Sequence, residues 1–196
     1  MENLLQLFIW IPLLAFIISI FIPEKKESVL SGVASIATGL HFIGIFAYIV
    51  FWILIGSPVL DIKHITLFNA NDIEIFIDFY FDANTAVFSF VGSIITFLVT
   101  VFSRYYLHRD SGFKLFFTVL QLFFLSYNLI IFSGNFETLF IGWEILGVCS
   151  FLLIAFYRDR YLPVKNSMKV ISIYRFGDIC LILAMWMSHH LWHENI

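Results

Sequence analysis

One carboxylate, Glu144, lies inside an apolar run long enough to cross a membrane. The run from Glu137 to Tyr157, ETLFIGWEILGVCSFLLIAFY, contains no other charged side chain after Glu137. A bilayer-spanning helix needs about twenty such residues. Glu144 is seven residues along the run, or roughly 10 Å, so its side chain cannot reach water at the membrane surface. A carboxylate there indicates a proton or ion relay, or else a hydrogen bond that joins two helices.

A second pair of charges, Arg175 and Asp178, lies in the next apolar run. Their spacing of three places them on one face of a helix, where they can form an ion pair. Two interpretations stay open. The pair neutralises only itself, or its charge also acts on Glu144 from the neighbouring helix.

The composition is that of an integral membrane protein. The 196 residues are 61% hydrophobic and 13% charged, whereas soluble domains carry about 25% charged residues. We therefore expect a lipid bilayer around the chain and no nucleic acid partner. The first residues, MENLLQ, carry an acid and no base, so the first apolar run is predicted to be a helix rather than a cleaved signal peptide.

Hydropathy and turn residues predict an all-α membrane protein of about six spans with one small hairpin. The predicted spans are residues 3–23, 28–56, 83–103, 115–136, 137–157 and 170–188, with a basic loop over 158–169. This divides the chain into helices 1–2 (1–57), a hairpin (58–82), helices 3–6 (83–188) and a tail (189–196). Polar side chains inside the spans should seek other helices, as with Gln121 and Asn128 on one face of span four. His41 in span two is expected to be a satisfied packing residue.

The hairpin is predicted from alternation. Apolar residues recur at every second position over 73–81, a weaker strand covers 59–68, and residues 69–72 supply the turn. Unpaired strand edges cannot face lipid, so the hairpin should lie outside the bilayer, as a brace or a contact with another subunit.

The loop charges predict which side faces the cytoplasm. Nine of the eleven basic residues fall on one side of six spans: Lys25, Lys26, Arg104, Arg109, Lys114, Arg158, Arg160, Lys165 and Lys169. The opposite side has Lys63 among six acidic residues. By the positive-inside rule, both termini and the hairpin are extracytoplasmic.

The tail holds His189, His190 and His193, and the spacing of the first and last suits metal ligands. Because no further candidate ligand lies nearby in the sequence, an interfacial histidine cluster is the preferred interpretation, and its role stays open.

Three motifs carry a resemblance to a known family. They are HRDSGFKLFF (108–117), NFETLFIGWEILGVCSFLLIAFY (135–157) and YRFGDICLILA (174–184). In order and on these helices, the chain resembles the antiporter-like, proton-conducting subunits of respiratory complex I, closest to subunit L (mitochondrial subunit 5). The resemblance covers about residues 80 to 187.

The resemblance implies roles for the three charges. Glu144 would be the proton-relay carboxylate, and Arg175 and Asp178 would set its electrostatics. The family's partners are other membrane subunits of an NADH:quinone oxidoreductase in the cell inner membrane. In the family the glutamate pairs with a lysine on a later helix, so we expect a fragment or a truncated relative. No flavin, haem or iron–sulfur pattern occurs in the sequence, so any translocase activity would involve no cofactor or redox centre on this chain.

Three alternatives stay open at this stage. They are the related membrane subunit of a proton-driven bicarbonate-uptake complex, a subunit of a multisubunit sodium/proton antiporter, and a structural module that conducts nothing. The coupling ion is not determined by the sequence.

Overall fold

The computed structural model describes residues 2–70 and 73–192 and contains six long helices with a two-stranded sheet. All six helices are long and apolar enough to cross a membrane. The predicted fold class, an all-α membrane protein with a small hairpin between its second and third helices, is confirmed. The elements are α1 (Glu2–Phe21), α2 (Glu27–Leu54), β1 (Leu60–Ala70), β2 (Ile73–Phe81), α3 (Ala83–Tyr106), α4 (Phe113–Ile131), α5 (Phe136–Ile154) and α6 (Tyr161–Trp192).

Side-chain caps fix where two of the helices begin. Asp82 accepts a hydrogen bond from the Thr85 amide at 2.8 Å and caps α3. Asn135 accepts from the Thr138 amide at 2.9 Å and caps α5. These oxygens satisfy amides that have no partner within a helix's first turn.

The last helix extends beyond the predicted span at both ends. The basic loop was predicted over 158–169, but α6 already begins at Tyr161. Pro163 falls in its first turn, where a missing amide costs nothing. At the other end, α6 continues through Trp192, so residues 189–192 of the predicted tail are helical, and residues 193–196 lie outside the described part. Lys165 and Lys169 were predicted to lie in a loop because they are charged. Both lie in α6, from which long lysine side chains can reach the membrane interface.

The hairpin joins the end of α2 to the connection between α4 and α5. Its strands are antiparallel. Two backbone hydrogen bonds join β2 to that connection: the Tyr80 amide donates to the Phe132 carbonyl at 2.8 Å, and the Gly134 amide donates to the Asp78 carbonyl at 3.0 Å. Phe81, fully buried, packs edge-on against aromatic rings of α2. The hairpin therefore braces this end of the bundle. Asn71 and Asp72 of the predicted turn lie outside the described residues.

The three basic connections meet at the opposite end of the bundle. His108 Nδ1 lies 3.0 Å from a carboxylate oxygen of Glu27, and Lys114 donates to the Ile20 carbonyl at 3.0 Å. The ring of Phe156, after α5, packs against that of Phe116 at the start of α4. The clustering of positive charge at one end is thus a feature of the fold, and its cytoplasmic orientation stays a prediction.

Candidate ion-pair site between α5 and α6

The three charges predicted from the sequence lie together between two neighbouring helices. Glu144 is near the middle of α5, and Arg175 and Asp178 are near the middle of α6. Arg175 Nη1 donates to Glu144 Oε2 at 2.7 Å and to Asp178 Oδ2 at 3.2 Å. One guanidinium therefore contacts two carboxylates on two helices, and we call these three residues the ion triad.

A fourth side chain completes the arrangement. Trp143 Nε1 donates to Asp178 Oδ1 at 3.0 Å, so consecutive residues of α5 hold the two charged residues of α6. The indole also stacks on Tyr174, with ring centroids 5.0 Å apart. Sequence reasoning gave Trp143 no role of its own. The available signal was an indole N–H in an apolar helix, which needs an acceptor when it is buried.

Close approach of the helices depends on glycine. A Cβ at Gly147 of α5 would lie 2.8 Å from a ring carbon of Tyr174, which is too close for any larger residue without a shift. Gly142, two residues before Glu144, permits a close approach on the other side of α5. Its added Cβ would lie 3.0 Å from the Ile130 backbone nitrogen of α4.

The protein covers the members of the ion triad unequally. The Asp178 side chain is 6% exposed, Glu144 27% and Arg175 55%, where exposed surface is whatever the described chain leaves uncovered. Asp178 accepts hydrogen bonds from both Trp143 and Arg175, whereas the described contacts of Glu144 come from Arg175. Glu144 is thus the more accessible and less tightly held carboxylate.

No metal site is evident in the part of the chain that the structure describes. Among the side chains that the structure describes, no three His, Cys, Asp or Glu lie close enough together to bind an ion. His190 stacks on Trp186 with centroids 5.6 Å apart. His193 lies outside the described residues, so the predicted histidine cluster stays a prediction.

Comparison with known proteins gives consistent matches. Residues 67–117 match the family described as NADH-ubiquinone oxidoreductase (complex I), chain 5 N-terminus. Residues 133–194 match the family described as NADH:quinone oxidoreductase/Mrp antiporter, transmembrane. Together the two matches cover more than half of the chain. The chain belongs to the antiporter-like membrane subunit family.

Individual relatives agree with this family. The chain is 28% identical over 192 residues to NADH-quinone oxidoreductase subunit L of Buchnera aphidicola, which covers 96% of the chain and 31% of the relative. It is 41% identical over 105 residues to NADH-ubiquinone oxidoreductase chain 5 of Metridium senile, covering 54% of the chain and 18% of the relative. The chain thus matches less than a third of the length of these family members.

The same fold occurs in a solved structure. A chain of the membrane-bound sulfane sulfur reductase, an archaeal respiratory membrane complex, superposes with a TM-score of 0.80 at 20% sequence identity. The match covers 95% of this chain and 37% of that chain. At this identity the similarity establishes the fold alone, and it confirms the predicted arrangement of six helices and a hairpin.

Proposed function

We propose that the chain forms the N-terminal portion of a proton-translocating membrane subunit of an NADH:quinone oxidoreductase-type complex. Its relatives named subunit L and chain 5 support this proposal. The single observation that carries it is the ion triad, a set of charges that bridges two membrane-crossing helices. Charges in such a place are expensive, and they usually mark an ion pathway.

The charge balance of the ion triad leaves one carboxylate without a matching cation. With all three groups ionised, two carboxylates face one guanidinium, which leaves a net charge of −1. Charges in a membrane interior are costly, so the unmatched carboxylate is the member of the set that we assign to proton relay.

We assign the proton to Glu144. Protonating Asp178 would weaken its charge-assisted bonds to Arg175 and Trp143, whereas protonating Glu144 affects its contact with Arg175. Glu144 therefore acts as the relay, and Arg175 and Asp178 set its electrostatics.

The wider assignment follows the relatives. The partners would be other membrane subunits of the same complex, and two of the relatives come from the bacteria Buchnera and Rickettsia. We place the chain in the cell inner membrane, with both termini and the hairpin extracytoplasmic because of the basic end of the bundle. The chain would carry no redox centre and would use electron transfer that occurs in partner subunits.

The test is the substitution Glu144→Gln in the assembled complex. Inverted membrane vesicles report proton uptake through a pH-sensitive dye, and NADH oxidation is recorded in the same sample. We expect fewer protons per NADH oxidised than in the wild type, because glutamine keeps the shape but cannot carry the proton. Electron transfer from NADH to an artificial acceptor should be unchanged, since it bypasses the membrane part.

Glu24→Gln is the matched control, because Glu24 is exposed in the connection between α1 and α2. It should leave the ratio of protons to NADH unchanged. An unchanged ratio in Glu144→Gln as well would assign Glu144 to helix packing and would contradict the proposal.

A second candidate, a sodium/proton antiporter subunit, is favoured by one observation. The family matched by residues 133–194 includes Mrp antiporters in its description. The same vesicles distinguish the two functions. A sodium gradient applied without NADH would change the internal pH only if the chain acts in an antiporter.

A further inference from the structure

A second group of polar side chains is buried between the first helices, away from the ion triad. His41 of α2 and Gln121 and Asn128 of α4 are each 0% exposed. Burial of polar groups without partners is costly, and native proteins largely avoid it. These three residues, which we call the interior polar cluster, therefore need partners.

The protein's own groups supply few of the hydrogen-bond partners that the interior polar cluster needs. Both ring nitrogens of His41, both polar atoms of the Gln121 amide and Asn128 Oδ1 have no hydrogen-bond partner among the described residues. Asn128 Nδ2 donates to the Phe124 carbonyl at 2.7 Å. The imidazole lies beside Asn128 and the Phe8 carbonyl, yet no atom pair there has the distance and angle of a hydrogen bond. The expectation that His41 is a satisfied packing residue is thus not met by these neighbours.

The surroundings of the interior polar cluster are aromatic and uncharged. The His41 ring packs edge-on against Phe124 of α4 at 4.6 Å and against Phe8 of α1 at 5.4 Å between centroids. Acidic and basic residues of α1, α2 and α4 occur only at the ends of these helices. The missing partner is therefore neutral, and it must both donate and accept hydrogen bonds, because the set contains donors and acceptors.

The interior polar cluster is independent of the ion triad. On α4, Leu129 and Ile130 lie against Gly142 of α5. Asn128 and Ile130 are two residues apart, which places them on nearly opposite faces of a helix. The body of α4 therefore separates the two polar sites, and neither site's role depends on the other.

We propose that His41, Gln121 and Asn128 form an internal water-binding site between α1, α2 and α4. Water is neutral, and it is both donor and acceptor. Buried waters typically make about three hydrogen bonds to otherwise unsatisfied groups, and the interior polar cluster offers five such atoms on two helices. The site would hold one or two waters and link α2 to α4.

X-ray radiolytic footprinting of the whole chain in nanodiscs tests the site. The pulse produces hydroxyl radicals from bound water, and these oxidise the adjacent side chains, which mass spectrometry quantifies. His41 and Phe124 should be oxidised several-fold faster than Phe81. Phe81 is the matched control because it is also 0% exposed, but it packs against the rings of Tyr48, Trp52 and Phe132. Oxidation of His41 and Phe124 as slow as that of Phe81 would overturn the proposal.

A variant then shows whether these side chains hold the water. With His41→Leu, Gln121→Leu and Asn128→Leu combined, oxidation of Phe124 should fall to the rate of Phe81. An unchanged rate in the folded variant would mean that other groups hold the water and would overturn the assignment. If the triple variant does not fold, Asn128→Leu alone should still lower the Phe124 rate, and failure to do so would count equally against it.

Discussion

Removing Arg175 should destabilise the protein mainly through Asp178. Arg175→Met takes away the guanidinium that contacts both carboxylates. Breaking a buried pair by deleting one partner costs about 3–5 kcal/mol. Asp178 is 6% exposed but Arg175 is 55% exposed, so we expect the lower end, about 3 kcal/mol.

Removing Asp178 should destabilise the protein less than removing Arg175. Asp178→Leu leaves Arg175 bound to Glu144 and leaves the Trp143 N–H without its acceptor, which costs about 2 kcal/mol. In the double variant the buried carboxylate is gone, and the newly unpaired Glu144 is 27% exposed. We therefore expect a double loss of about 3 kcal/mol rather than the additive value of about 5, a coupling of about 2 kcal/mol.

The free energy of unfolding is measured by SDS titration in mixed micelles, followed by far-ultraviolet circular dichroism. The surface pair Glu27–His108, with a separation of 3.0 Å and exposures of 28% and 62%, is the control. Its cycle of alanine substitutions should show a coupling below about 1 kcal/mol. If the losses at Arg175 and Asp178 add to within about 0.5 kcal/mol, the two residues do not interact and the reasoning fails.

Three further predictions use the same preparation. Trp143→Phe keeps a ring but loses the N–H donor to the Asp178 carboxylate, so it should lower the free energy of unfolding by about 1–2 kcal/mol. An unchanged midpoint of the SDS titration would contradict this hydrogen bond. Gly142→Ala should cost about 1–3 kcal/mol because its added carbon meets the α4 backbone, whereas Gly32→Ala, with nothing within 4 Å, should be neutral or stabilising. Single cysteines at Asp61 and Arg158, in a chain whose own cysteines are replaced by serine, should react with an impermeant reagent from opposite sides of the membrane, and labelling from one side only would refute the six-span topology.

The sequence alone was sufficient for the parts of the fold that depend on local pattern. Runs of about twenty apolar residues specify spans whatever lies next to them, and alternation specified the hairpin because a strand's side chains point to opposite faces. Glu144, Arg175 and Asp178 could be predicted as site residues for the same reason. A charge within an apolar run is conspicuous before any tertiary contact is known.

Tertiary structure decided what those residues touch. The contacts of Trp143 with Asp178 and of Arg175 with Glu144 join positions 35 and 31 residues apart. Such contacts depend on the rotation and spacing of α5 and α6, which Gly147 and Tyr174 help to set and which no local pattern encodes. Whether a buried polar group such as His41 has partners is likewise determined by neighbouring helices, because helix periodicity fixes which face a residue occupies but not what packs against that face.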